Sequence, residues 1–138
     1  AGKGIMHSEH ATADEDVNLF QIWVFPKKVN IEPRYDQRTF DVKDRENKWQ
    51  IVVSPEEAHN ALWINQDAYF SLGNFTDAAV YKTNKDGNGV YLMVIEGEIE
   101  IDGNTLSQRD AIGITEAKAF EIKVLQPAKL LVVEVPML

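Results

Sequence analysis

The residues near the start of the chain with the most obvious chemistry are His7 and Glu9. One residue separates them, so in an extended segment both side chains lie on the same side, about 6–7 Å apart along the strand. An imidazole and a carboxylate are two of the ligands that redox-active iron sites use. On spacing alone, two surface residues of an end strand are the more frequent arrangement. The pair therefore provides half of a candidate metal site.

The other histidines do not complete this site. His10 follows Glu9 directly and would point to the opposite face of a regular strand, which makes it a poor third ligand. His59 follows a Pro-Glu-Glu turn, and we expect it to face solvent from a loop. Ser54 has no sequence neighbour that indicates nucleophilic catalysis. His7 and Glu9 thus remain the candidate site residues.

The composition excludes several classes of protein. The chain has 138 residues, 44% of them hydrophobic, which is typical of one globular domain with a buried core. The net charge of −8 disfavours nucleic acid and anionic lipid as partners, and no apolar run is long enough to span a membrane. There is no cysteine, so thiolate chemistry is excluded. We expect a cytoplasmic protein, and we expect Ala1 to be a cut, a processed end or an end chosen when the protein was prepared.

Short apolar segments separated by turn residues predict an all-β fold. Residues 19–25 are aromatic and β-branched and end at Pro26, which favours a strand over a helix. Asp102-Gly103-Asn104 is a hairpin turn signal, and Ser54 with Glu57 has the form of a capping box. Further strands are predicted at residues 39–42, 49–53, 61–65, 68–75, 78–83, 90–101, 111–115, 119–124 and 129–135. Many short strands with turns between them indicate a sandwich, jelly roll or barrel.

One predicted strand alternates acidic and apolar side chains. Its acidic face carries Glu96, Glu98, Glu100 and Asp102. Its apolar face carries Ile95, Gly97, Ile99 and Ile101. We interpret the acidic face as a solvated surface that discourages edge-to-edge pairing, rather than as paired carboxylates for acid–base catalysis.

The tryptophans and two arginines have structural interpretations. Trp23, Trp49 and Trp63 could stack a flat ligand, but large aromatic residues of all-β proteins usually lie in the core, and we expect that here. Arg34 and Arg38 are four residues apart, and we expect charge-assisted contacts from them to a neighbouring domain.

Several segments, taken in order, resemble one protein family. Residues 94–103 and 109–114, with their Gly-Glu strand, Gly turn and following Asp-containing strand, are similar to the central hairpin of a cupin. The opening Gly-Ile-Met-His-Ser-Glu and the segments at residues 19–24, 33–38 and 53–55 resemble the pirin family of bicupins, in its bacterial quercetin-dioxygenase-like branch. The resemblance covers nearly the whole chain, but only the second half of a full-length pirin.

The resemblance implies an all-β, cupin-type β-barrel or jelly roll and a metal centre. In pirins the first cupin binds one metal, usually iron, through a His-x-His pair, a later His and a Glu, and the last two match His7 and Glu9. The resemblance therefore implies iron or another divalent metal, and a flavonol-like substrate, for the full-length protein. We expect residues 1–17 to be the end of the first cupin and residues 18–138 to be the second. The His-x-His pair would precede residue 1, so we expect no metal on this chain alone.

The second cupin of this family usually lacks a metal, and the sequence agrees with that. Tyr-Lys-Thr-Asn at residues 81–84 stands where a metal-loaded cupin carries His-x-His. Residues 115–120 contain no histidine where such a cupin would carry its last ligand. We expect apolar side chains to fill the interior of this barrel.

Two functions of different class remain open. The first is the C-terminal portion of a pirin related to quercetin 2,3-dioxygenase, an iron-dependent enzyme of flavonol cleavage, inactive as this chain alone. The alternative is a metal-free structural or binding module for dimerisation or a protein partner, as in the transcriptional co-regulator branch of pirins. Residues 1–12 would lack sheet partners, and we expect them either to form a homodimer or to be partly disordered.

Overall fold

Eight strands after residue 48 form the sheet in the part of the chain that the structure describes. The computed structural model describes residues 3–10, 16–57 and 60–137. A 3-10 turn at Val42–Arg45 precedes the strands β1 Trp49–Ser54, β2 Leu62–Trp63, β3 Tyr69–Phe75, β4 Ala79–Lys82, β5 Asn88–Ile101, β6 Asn104–Ser107, β7 Ala111–Ile114 and β8 Ala119–Pro136. Within the described part of the chain, no helix combines the length and the apolar character that crossing a membrane requires.

The two longest strands, β5 and β8, organise the sheet. They pair antiparallel from Asn88 opposite Pro136 to Glu100 opposite Lys123. The strand order is β2-β1-β3-β8-β5-β6, with β4 on the first residues of β8 and β7 on the first half of β5. Each long strand has different neighbours at its two ends, and the strands pack around one apolar interior. That interior contains Val90, Leu92, Val94, Ile99, Ile101, Ile122, Leu130 and Val132. The all-β barrel prediction is confirmed.

A bulge at Gly97 reverses the inward face of β5 and corrects one prediction. From Val90 onward the buried positions are even-numbered up to Val94 and odd-numbered from Ile99. Ile95 is only half-buried and does not share the buried face of Ile99, contrary to our expectation. The pairing with β8 shifts three times between Val94 and Ile99. Gly97 has φ +88°, and a Cβ there would lie 2.2 Å from the carbonyl oxygen of Pro127, so the bulge requires glycine.

The acidic side chains of this strand reach solvent, as predicted, but they do not protect an edge. Both β6 and β8 pair with this part of β5, and two of the carboxylates form ion pairs with lysines of β8. Glu96 lies opposite Lys129 on β8, with 2.7 Å between the ammonium nitrogen and the carboxylate. Glu100 lies opposite Lys123, at 3.5 Å. Such cross-strand pairs between exposed side chains contribute little to stability but keep the surface hydrated.

The prediction of a strand at residues 19–25 is wrong. Residues 16–25 carry no regular secondary structure, and large apolar side chains of this segment are exposed. The sequence favours an extended backbone, but a strand also needs a neighbouring strand to pair with, and the described chain places none beside it. The strand expected at residues 39–42 is also absent, because Asp41 caps the 3-10 turn by accepting a hydrogen bond from the Lys43 amide (3.0 Å).

Predictions of three strands and of one helix cap were close to what the structure shows. The expected strand at residues 61–65 shortens to β2, and those at 119–124 and 129–135 form the single strand β8. The Ser54 cap forms with a different residue than expected: its hydroxyl accepts from the Glu56 amide (3.0 Å) and donates to the Glu56 carboxylate (2.8 Å). These bonds give Ser54 a structural role.

Residues 25–28 are anchored to the loop at residues 65–67. The Lys27 amide donates to the Asn65 carbonyl oxygen (2.7 Å), and the Gln66 side chain donates to the Phe25 carbonyl oxygen (2.9 Å). The Lys27 ammonium contacts both oxygens of Asp67, at 2.9 and 2.8 Å. These bonds fix residues 25–28 to the barrel, and residues 20–25 line a groove beside the outer face of β5 and β8.

Candidate metal centre

The structure brings His7 and Glu9 together before the barrel. Nε2 of His7 lies 3.0 Å from Oε1 of Glu9, which confirms that the two side chains project to the same side. Both are about half exposed, with 52% and 47% of the side-chain surface accessible. The pair can therefore be reached by an ion from solvent.

Gln21 joins this pair, although the sequence reading did not select it. Its amide nitrogen lies 3.2 Å from Oε1 of Glu9 and 3.5 Å from Nε2 of His7. The indole N–H of Trp23 donates to Oε1 of Gln21 (3.2 Å). The sequence feature that could have identified Gln21 is its place as the single amide residue in the apolar run at residues 19–25.

The donor atoms of His7 and Glu9 fit a divalent transition metal. Imidazole nitrogen and carboxylate oxygen suit iron, nickel and zinc. Neighbouring corners of an octahedron with bonds of about 2.1 Å are about 3.0 Å apart. The observed separation of 3.0 Å between the two donor atoms satisfies this condition. Among the described residues, however, no group of three or more His, Cys, Asp or Glu is close enough to hold an ion.

His10 and the two arginines contact residues other than His7 and Glu9. Nε2 of His10 contacts the Ser8 hydroxyl (3.1 Å), and its exclusion as a third ligand stays a prediction. Arg34 lies 3.8 Å from the Glu57 carboxylate, and Arg38 donates to the side-chain oxygen of Asn60 (2.8 Å). Both arginines thus have contacts within this chain, and their contact with a neighbouring domain stays a prediction. His59 lies outside the described residues.

The three tryptophans occupy different environments. Trp49 packs into the core against Phe75 and Tyr81, with ring centroids 4.8 and 5.1 Å apart. Trp63 is half-buried, and the Arg34 guanidinium lies 5.3 Å from its ring centroid. Trp23 is 86% exposed, so the expectation that it lies in the core is wrong. Its segment covers the outside of the sheet and does not enter the barrel.

A buried carboxylate occupies one end of the barrel interior. Glu134 has no exposed surface. Its Oε1 accepts from the Lys85 amide (2.9 Å) and the Asn88 side chain (3.0 Å). Its Oε2 accepts from the Tyr81 hydroxyl and from the amide and side chain of Asn84, each at 2.9 Å. Five donors compensate the loss of water around this carboxylate.

Tyr81 remains a donor in this cluster. Burial raises the pKa of the Tyr81 hydroxyl above its ordinary value, and the charge of Glu134 raises it further. The phenol therefore stays protonated and donates a hydrogen bond to the Glu134 carboxylate. Both oxygens of Glu134 accept hydrogen bonds from the protein, so we interpret this cluster of Glu134 and its donors as a structural link at the end of the barrel.

The Glu134 cluster corrects the expectation of a purely apolar interior. Tyr81 and Asn84 come from the segment where a metal-loaded cupin would carry its His-x-His pair, and they bind Glu134. Sequence reasoning missed Glu134. The signal was one charged residue in the otherwise apolar run at residues 130–135, which points to a buried carboxylate with dedicated donors.

A groove of about 780 Å³ lies between residues 20–25 and the outer face of β5 and β8. Met93, Leu131 and Val133 are among the residues that line it on the side of the sheet. Leu131 and Val133 are only 6% and 9% exposed, although they point away from the interior. The segment that carries Gln21 therefore covers an apolar sheet face.

The fold and the site together define a cupin-type barrel with an exposed His–Glu pair in the segment before it. Residues 51–135 match the family model described as the quercetinase C-terminal cupin domain of pirins. The chain belongs to this family.

Curated relatives support the assignment along nearly the whole chain. Quercetin 2,3-dioxygenase of Escherichia coli K12 is 30% identical over 99% of this chain and 58% of that protein. A pirin-like protein of Caulobacter vibrioides is 33% identical over 97% of this chain and 59% of that protein. The chain thus spans somewhat more than half the length of these relatives.

Solved structures agree with the same assignment. The crystal structure of YhhW from Escherichia coli superimposes with a TM-score of 0.75 at 26% identity, over 84% of this chain and 49% of that one. Bacterial pirin YhhW in complex with nickel(II) gives a TM-score of 0.72 at 26% identity, over 82% of this chain and 48% of that one. These similarities confirm the cupin fold and indicate a divalent metal in full-length relatives.

Proposed function

We propose that this chain contributes His7 and Glu9 to the divalent metal centre of a pirin-like bicupin related to quercetin 2,3-dioxygenase. One observation carries the proposal: the two donor atoms lie 3.0 Å apart, in the His-Ser-Glu segment that resembles the pirin motif. The similarity to Escherichia coli quercetin 2,3-dioxygenase over 99% of the chain supports it.

Each part of the chain has a defined task in this proposal. His7 presents Nε2 to the ion, and Glu9 presents Oε1 and one negative charge. The bound metal, proposed to be iron, would supply the redox chemistry for oxygen-dependent cleavage of a flavonol. The barrel serves as the scaffold, because residues 25–28 are anchored to its loop at residues 65–67.

The pair alone makes a weak site. Two protein ligands leave most coordination positions of an ion to water, so we propose weak ion binding and no dioxygenase activity for this chain alone. The missing ligands would come from the part of the longer relatives that this chain does not span. We also propose a cytoplasmic location, which a sequence without disulfide-forming residues fits.

The test is a Ni²⁺ titration of the chain without a histidine tag, followed by paramagnetic broadening of assigned NMR signals. We expect saturable broadening centred on His7 and Glu9, lost in His7→Ala and kept in His10→Ala, which removes an exposed histidine three residues away. Added ferrous iron and quercetin should give no product beyond that of free iron. Broadening that is unchanged in His7→Ala would contradict the proposal.

A second function is favoured by the exposed apolar side chains ahead of the barrel. Met6 is 98% exposed and Phe25 is 91% exposed, and isolated soluble domains rarely leave such a series of residues uncovered. The alternative is a binding module that forms a homodimer through residues 1–12. Light scattering distinguishes the two: a concentration-dependent dimer lost in Met6→Ser supports the module, and a monomer at all concentrations contradicts it.

A further inference from the structure

We infer that Gln21 is a positioning residue of the cation site, whose side-chain amide holds the Glu9 carboxylate in its ligating orientation. This inference rests on the ion binding proposed for His7 and Glu9. Gln21 is separated from Glu9 by 12 positions in sequence, yet its amide nitrogen lies 3.2 Å from Oε1 of Glu9. That oxygen is the same atom that faces His7.

The Trp23 indole decides which end of the Gln21 amide faces the site. An indole N–H can only donate a hydrogen bond, so its partner on Gln21, 3.2 Å away, must be the amide oxygen. The NH₂ group then points to Glu9 and His7. Gln21 therefore acts on the site as a hydrogen-bond donor. Its amide oxygen accepts from Trp23 and is not available as a third metal ligand.

A donor at this place affects ion binding through Glu9. A half-exposed carboxylate samples several rotamers, and the ion requires one of them, so an unheld Glu9 loses conformational entropy on binding. A carboxylate oxygen has more than one acceptor direction, so Oε1 can keep the Gln21 bond while it faces an ion. Hydrogen bonds of this kind commonly change metal affinity 10–100-fold.

The barrel fixes the backbone that carries Gln21. Ile22 and Val24 are the least exposed of the large apolar residues at positions 22–25, and they line the groove beside the outer sheet face. Phe25 and Lys27 are tied to Gln66 and Asn65. Gln21 thus links the exposed cation site to the second cupin, which gives the metal-free barrel a direct role in shaping the centre.

The experiment compares Ni²⁺ dissociation constants, from the same NMR broadening, for the unchanged chain and three variants. Gln21→Met keeps the side-chain length and removes the donor, and we expect about tenfold weaker binding. Trp23→Phe removes the group that orients the amide, and we expect a smaller loss in the same direction. Gln108→Met, an exposed glutamine on the β6–β7 turn, is the matched control and should bind as the unchanged chain does.

The outcomes separate this inference from the function on which it rests. Saturable binding that depends on His7 but is unchanged in Gln21→Met would overturn the role of Gln21 and leave the site intact. Tighter binding in Trp23→Phe would show that the released amide oxygen is a ligand, which also overturns it. Absence of His7-dependent binding in the unchanged chain would overturn both.

Discussion

Two carboxylates in this chain have opposite surroundings. Glu134 is fully buried and accepts five hydrogen bonds from the protein. Glu9 is about half exposed, and among the described residues its Oε1 contacts His7 and Gln21. A saturated, buried carboxylate has no acceptor direction left for a ligand, whereas the Glu9 side chain is 47% exposed to solvent. The same side-chain type is therefore structural in the barrel and available for binding ahead of it.

The strongest test of this contrast is Glu134→Gln. Either orientation of the new amide places its NH₂ group against protein donors, so we expect a loss of about 3–5 kcal/mol in the free energy of unfolding. Urea denaturation measures it. Glu121→Gln, on the exposed side of β8, is the control and should change stability by less than about 0.5 kcal/mol. A Glu134 variant as stable as that control would show that the five bonds do not hold the barrel end.

A smaller loss is expected for Tyr81→Phe. This change removes one of the five donors to Glu134 and keeps the ring packed against Trp49 and Phe120. We expect destabilisation of about 1–2 kcal/mol by the same denaturation assay. Ni²⁺ broadening at His7 should stay as in the unchanged chain. Altered ion binding in this variant would mean that the two carboxylate sites are coupled.

The smallest effect concerns the anchor between the two regions. The Lys27 ammonium, and then that of Lys85, hold the pKa of Asp67 below its ordinary value of 3.8. Because the folded pKa is depressed, the contribution of this carboxylate is complete above pH 3.8 and is lost as pH falls through the lower folded value. We expect the Lys27 amide resonance to shift only in that acidic range.

Asp67→Asn is the control for this pH effect, because it removes the titrating group and keeps the side-chain shape. The acidic shift of the Lys27 amide should disappear in that variant while the signals of β5 and β8 stay folded. If the shift persists in Asp67→Asn, another group controls the attachment of residues 25–28.

The sequence predicted the strands correctly where the folded chain places a partner strand beside them. Residues 69–75 and the β5–β6 hairpin agree with expectation because alternation and the Asp102-Gly103 turn act locally. Residues 19–25 have an equally strong strand pattern and form none, since no described strand pairs with them. The bulge at Gly97 was missed because its cause is the approach of Pro127, which lies far along the chain.

The polar residues also divide into those that local sequence patterns identify and those whose role depends on distant contacts. The sequence by itself determined the all-β barrel, the family resemblance and the candidate pair His7 and Glu9, because periodicity, turn chemistry and motif spacing are local properties. Only the tertiary structure decided that Gln21 joins that pair and that Glu134 lies buried among Tyr81, Asn84 and Asn88. Each is a single polar residue in an apolar run. Its role depends on which distant donors the folded chain places within about 3 Å, and sequence spacing does not encode that distance.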